Sequence, residues 1–194
     1  MVRRLASLVL LAGAVVTSPV AAVAQNTEIP PDTVTTVFVS DSIEGFGAAG
    51  GVAADALGYI YIADFRNAVW RLSPDGEVSK FADGLYGASG NTIGPRGDLF
   101  QSNFRGNFIA RITRTGHWER YATEGLNGPV GIAANPEGEL FVVNCTGGNV
   151  AKVDTDGRVT SFSESELFSC PNGIVFDDRG DLFVVNFNST KLVK

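Results

Sequence analysis

The chain has 194 residues, 44% hydrophobic and 19% charged, and its 15 basic and 21 acidic residues give a net charge of −6. Such a composition suits one ordinary globular domain. An acidic chain without a basic run excludes nucleic acid as the partner and argues against an anionic membrane surface.

The first 24 residues read as a secretory signal peptide. Arg3 and Arg4 form a positive n-region, Leu5 to Val16 is an apolar run, and Ala22-Val23-Ala24 is a small-x-small cleavage site before Gln25. The run is shorter than the roughly 20 residues a spanning helix needs, and Pro19 closes it. Removal rather than anchoring is therefore expected, and no later segment could span a membrane as a helix. Export places the mature protein outside the cell or in the periplasm, and loss of the two arginines takes its charge to about −8. Residues 25–33 (QNTEIPPDT) are polar and Pro-rich and read as a short disordered leader. Residues 34–194 form the domain.

Within the domain one unit of about 40 residues recurs, over residues 50–85, 89–126, 130–167 and 172–194. Gly58, Gly97, Gly138 and Gly180 mark one position, at spacings of 39, 41 and 42 residues. Six residues later stand Asp64, Asn103, Asn144 and Asn186, followed by the turns Asp75-Gly76, Thr115-Gly116 and Asp156-Gly157. Each unit divides into four extended pieces, here called A to D. In the third unit, A covers 131–134, B covers 139–144, C covers 149–154 and D covers 158–162, separated by Asn135–Gly138, Cys145–Gly148 and the Asp156-Gly157 hairpin turn.

No helical period appears. The B pieces read YIYIA, LFQSN, LFVVN and LFVVN, nearly continuous apolar runs suited to strands covered on both faces. The A pieces are rich in Gly and Ala, as innermost strands crowding an axis must be. The pattern predicts an all-β protein, a β-propeller of four-stranded blades. Thr35-Thr36-Val37-Phe38-Val39 aligns with the D strands that hold Phe81, Tyr121 and Phe162, which predicts an orphan outer strand ahead of the first blade. The chain stops at Lys194, inside the fourth C piece, which gives about three and a half blades where propellers have about four to eight. The expectation is a partial propeller of six-bladed type. A small ring, or an arc completed by oligomerisation, is the alternative.

Strand A starts and B–C turns belong on one face of a blade. That face carries Asp64, Asn67, Asn103, Arg105, Asn144, Asn172 and Asn186. Two readings are open. The residues form a polar ring at the channel mouth for a metal or a small polar ligand, or they cap strand ends and turns. Recurrence in every blade favours capping for Asp64, Asn103, Asn144 and Asn186. Asn172 breaks the repeat, because its equivalents are Gly50, Ser89 and Val130, and it is the preferred ligand or metal contact. Cys145 and Cys170 fall on the same face near the seam of the last two blades. A disulfide is expected if their Cα atoms come within about 7 Å.

Other motifs dissolve into the repeat. Gly45-Phe46-Gly47-Ala48-Ala49-Gly50 fits a dinucleotide fingerprint, but a strand follows where a helix is required. Two Arg-Gly-Asp triplets are A–B turns. The single histidine, His117, sits in a C–D turn on the opposite face, so no Ser–His–Asp triad or Cys–His pair can form.

The stretches VGIAANPEGELFVVN (130–144) and PNGIVFDDRGDLFVVN (171–186) resemble six-bladed propellers of three kinds. These are NHL-repeat proteins, the virginiamycin B lyase group, and the gluconolactonase/senescence-marker-protein family with its strictosidine-synthase-like relatives. The resemblance covers residues 34–194. The NHL likeness implies binding of a ligand or protein partner without chemistry. The gluconolactonase likeness implies a metal-dependent sugar-lactone hydrolase using Ca²⁺ or another divalent metal, held by a Glu, an Asn of an Asn-Gly pair and an Asp. Asn172-Gly173 matches the pair. The Glu would fall near Ala49-Gly50 and the Asp beyond Lys194, while the substrate-contacting Arg and Asn would fall near Gly87 and Ser89. The lyase likeness implies a channel-mouth His and Glu, which His117 does not supply. A secreted or periplasmic binding propeller with a small-molecule or protein partner is the leading expectation, and a lactonase or lyase-like enzyme is the alternative.

Overall fold

A computed structural model describes residues 43–194, and every regular element in them is a strand. The expected signal peptide, leader and orphan strand lie outside the described residues. Blade 1 is β1 (Ala49–Ala54), β2 (Ile60–Asp64), β3 (Ala68–Leu72) and β4 (Val78–Ala82). Blade 2 is β5 (Ala88–Ile93), β6 (Leu99–Asn103), β7 (Phe108–Ile112) and β8 (Trp118–Ala122). Blade 3 is β9 (Pro129–Ala134), β10 (Leu140–Asn144), β11 (Asn149–Val153) and β12 (Val159–Glu164). The fourth sheet has three strands, β13 (Pro171–Phe176), β14 (Leu182–Asn186) and β15 (Leu192–Val193). Each sheet is an antiparallel meander in chain order, as in a propeller.

The recurrent glycines follow from turn geometry. Gly58, Gly97, Gly138 and Gly180 in the A–B turns have φ of 87, 81, 89 and 82°, a region L-residues avoid. A second set of glycines follows from crowding between blades. A Cβ on Gly51 would lie 2.7 Å from the Cα of Gly90, one on Gly90 would meet the carbonyl of Val130, and one on Gly131 would meet the carbonyl of Asn172. Neighbouring innermost strands thus touch backbone to backbone, which accounts for Gly51, Gly90 and Gly131.

The outer halves of the blades are held by side chains that repeat with the unit. A strand-B aromatic meets a strand-D aromatic in Tyr61–Phe81, Phe100–Tyr121 and Phe141–Phe162, with ring centroids 5.0, 5.1 and 4.8 Å apart. An acidic residue after the A–B turn meets a base on strand C in Asp98–Arg111 and Glu139–Lys152, and one just past it in Asp181–Lys194, at 2.6, 2.8 and 2.6 Å. Blade 1 substitutes Arg71 over the ring of Tyr59. Lys152 and Asn135 hold the Glu139 carboxyl below its ordinary range, and Asp181 raises the Lys194 ammonium.

The core is not a single cluster. It consists of seams, one between each pair of neighbouring blades. Leu99, Phe108 and Ile112 pack against Tyr61, Ala63 and Val69 in the first. Leu140, Val142 and Val153 pack against Phe100 and Ile109 in the second. Phe141, Val143 and Val150 pack against Val184 in the third. Middle strands covered on both sides explain why LFVVN has no polar alternation, and each such side chain contributes about 1.5–3 kcal/mol of burial.

Candidate functional site

The four recurrent residues at the ends of the B strands are drawn into one interaction. Each accepts a backbone N–H from the connection that enters its own blade, 17 residues earlier. The Asp64 carboxylate takes Gly47 N at 3.0 Å. The side-chain oxygens of Asn103, Asn144 and Asn186 take Tyr86 N at 2.8 Å, Asn127 N at 3.1 Å and Ser169 N at 2.8 Å. This staple ties the incoming chain to the mouth end of strand B.

The remaining atoms of these side chains are engaged as well. The Asp64 carboxylate also accepts from Ala48 N, Arg66 N and the Trp70 indole, so a group with no donors of its own sits among donors. Asn103 Nδ2 donates to Gln101 O, Asn144 Nδ2 to Asn149 Oδ1, and Asn186 Nδ2 to Leu167 O and Lys191 O. Here the neighbours include acceptors, and asparagine supplies the N–H that aspartate lacks. Asp64, Asn103 and Asn144 are 1%, 0% and 1% exposed. Their polar atoms face the loops of their own blades.

Asn172 is placed differently. In the ladder of β13 and β14, Pro171 pairs with Asn186 and Gly173 with Val185, so Asn172 is the extra residue of a β-bulge. The same irregularity recurs at Gly50-Gly51, Ser89-Gly90 and Val130-Gly131 on the other innermost strands. A bulge re-aims its side chain away from the ladder. Asn172 is exposed there, at the mouth end of the innermost strand, and its amide takes no part in the staple.

Mouth-side turns also join neighbouring blades. Phe65 and Phe104, each following a staple residue, approach with ring centroids 5.9 Å apart. Arg105 lies over Phe65 and donates to the Phe65 and Arg66 carbonyls. In blade 3 the residue after the staple is Cys145, and it is joined to Cys170 by a disulfide, with Cα atoms 3.8 Å apart. Cys170 has φ 50°, at the position where Gly87 and Gly128 have φ 74° and 62°. Asn67 and Arg105 are exposed on this face.

A divalent metal is poorly matched by these residues. Ca²⁺ takes several oxygen ligands, usually with carboxylates among them. Among the described residues no three His, Cys, Asp or Glu side chains gather as a ligand set. Asn172 offers one neutral oxygen, the first-blade equivalent is Gly50, and the Asp64 carboxylate is committed to four donors. His117 is exposed in the β7–β8 turn, where its carbonyl accepts from Thr113 N.

Three polar residues outside the sequence expectations break an otherwise apolar part of the repeat. Asn91, Gln101 and Ser102 are 9%, 0% and 0% exposed in blade 2. The signal lay in LFQSN beside LFVVN. Reading strand B only as a continuous apolar run hid it.

Comparison with known proteins gives a consistent picture. The family model described as the virginiamycin B lyase family matches residues 39–194. Among solved structures, a catalytically inactive virginiamycin B lyase from Staphylococcus aureus with quinupristin superposes with a TM-score of 0.67 at 24% identity, covering 75% of this chain and 51% of that one. A gluconolactonase from Xanthomonas campestris gives 0.65 at 19% identity, covering 76% and 57%. A nidogen/laminin complex gives 0.65 at 22% identity, covering 72% and 57%. At these identities the likeness is one of fold, and the chain spans about half the length of the lyase structures it matches. No curated protein matches the sequence significantly.

Proposed function

Because the chain belongs to the virginiamycin B lyase family, we propose that it is an exported binding propeller, secreted or periplasmic, whose channel mouth receives a small polar ligand or a protein partner. The observation that carries this reading is the contrast at the mouth. The recurrent polar residues are consumed by the staple, while Asn172 projects from a bulge with an amide outside it. A primary amide both donates and accepts, so it suits amide- or hydroxyl-bearing ligands. Relatives with this fold include one solved with quinupristin and one in a nidogen/laminin complex, which supports either a small-molecule or a protein occupant. The signal-peptide pattern of residues 1–24 supports export.

Lyase or lactonase chemistry asks for an acid–base pair or a metal at the mouth. Among the described residues, His117 lies in a C–D turn and Gly50 holds the first-blade ligand position, so the binding reading rests on Asn172. Calorimetric titration of the purified chain with quinupristin, and separately with CaCl₂, tests the proposal. Quinupristin is expected to bind, and Asn172→Ala to weaken it at least about tenfold, a loss of about 1.4 kcal/mol. Equal affinity in wild type and Asn172→Ala, or turnover of quinupristin by the chain, would overturn it.

A further inference from the structure

The seam between blades 1 and 2 holds polar groups that the repeat does not explain. At equivalent positions of the innermost strands stand Val52, Asn91, Ile132 and Ile174. Directly across the ladder from Asn91 is Gln101, where the other blades have Ile62, Val142 and Val184. Cross-strand partners share a face of the sheet, so the two amides lie side by side. Asn91 donates to the Tyr61 carbonyl of blade 1, which sets that face toward the seam.

The nitrogen ends of both amides are engaged. Asn91 Nδ2 reaches Tyr61 O at 3.4 Å, and Gln101 Nε2 reaches Gly90 O at 2.9 Å and Ser102 O at 3.0 Å. Those acceptors fix which end of each amide is oxygen. The oxygen ends, Asn91 Oδ1 and Gln101 Oε1, are buried without a hydrogen-bond partner. An unpaired buried carbonyl is costly, and Ile and Val at the same positions elsewhere show that the fold packs without amides.

Two unpaired acceptor atoms, beside nitrogens that already donate, define what the site can hold. The guest must donate hydrogen bonds or carry positive charge, so anions are excluded. It must be small, since the innermost strands beside it touch backbone to backbone at Gly51 and Gly90. The two oxygens belong to neutral amides, which suits water or a monovalent cation rather than a divalent ion, whose sites are built on carboxylates. We propose that the inner seam of blades 1 and 2 is a binding site for one small electropositive guest, a water molecule or a monovalent cation, held by Asn91 Oδ1 and Gln101 Oε1. The guest lies beside the Ser89-Gly90 bulge, so it supports the channel wall of blade 2.

Crystals of the full chain grown in potassium chloride and soaked in rubidium chloride test this directly. The expected result is electron density within about 3.2 Å of both amide oxygens. A rubidium anomalous peak there identifies a cation, and density without anomalous signal identifies water. The variant Asn91→Ile/Gln101→Val, which installs the residues of blade 3 or 4, should keep its β circular-dichroism signature and lose the density. Absence of density at both oxygens in the wild type, or amides turned so that one donates to the other, would overturn the proposal. The wild-type map decides the matter even if the variant fails to fold.

Discussion

The seams on either end of the described arc are built from the same positions of the repeat and solve the same problem by different chemistry. Between blades 1 and 2 the interior is mixed, with Asn91 and Gln101 beside Leu99 and Phe108, and the mouth is closed by Phe65 against Phe104 with Arg105 across them. Between blade 3 and the fourth sheet the interior is apolar, with Phe141, Val143 and Val184, and the mouth is closed by the Cys145–Cys170 bond. What stays constant across both seams is the staple and the touching glycines. The constant parts hold the blades together, and the departures mark where each seam does something of its own.

Breaking the covalent seam should have the largest effect. The Cys145–Cys170 bond closes a separation of 25 residues. Loop-closure entropy assigns such a bond about 3.5 kcal/mol. Cys145→Ser/Cys170→Ser should lose about that much in equilibrium guanidinium denaturation, with the loss confined to the third seam if hydrogen exchange is followed along the chain. Equal loss of protection in blades 1 and 2 would show that the seams are not separable.

The touching glycines sharpen the comparison further. Gly131→Ala would drive a Cβ into the Asn172 carbonyl, a backbone atom that cannot move aside without shifting the blade. Overpacking of this kind costs about 1–3 kcal/mol. Gly173→Ala meets only the Val185 side chain, at 2.8 Å, and should cost less. Denaturation midpoints of the two variants check the order, and a reversal would mean that the inner strands are not in backbone contact.

Much of this architecture was legible in the sequence because it repeats. Gly58, Gly97, Gly138 and Gly180, with the Asp or Asn six residues on, gave the blade length. The B–C and C–D turns fell within a residue or two of where composition put them. β12 runs to Glu164, two residues past the expected end, because turn signals bound a strand less sharply than its pairing with β11 does. The partners of the staple were not legible. Nothing local to Asn144 announces that its acceptor oxygen meets Asn127 N, since that contact depends on how the chain enters the blade. The buried amides of blade 2 were visible as QS in place of VV, yet their burial could be known only once blade 1 was laid against them.

Polar residues that recur hold the blade, whereas Asn172, which does not recur, is exposed at the mouth. Equilibrium denaturation of Asn144→Ala beside Asn172→Ala tests it most directly. Asn144→Ala removes a buried amide and takes away the partner of the Asn127 N–H and of the Asn149 oxygen, and should cost about 1–3 kcal/mol. Asn172→Ala removes an exposed amide and should stay within about 0.5 kcal/mol of wild type. Wild-type stability in Asn144→Ala, or a loss in Asn172→Ala as large as in Asn144→Ala, would contradict it.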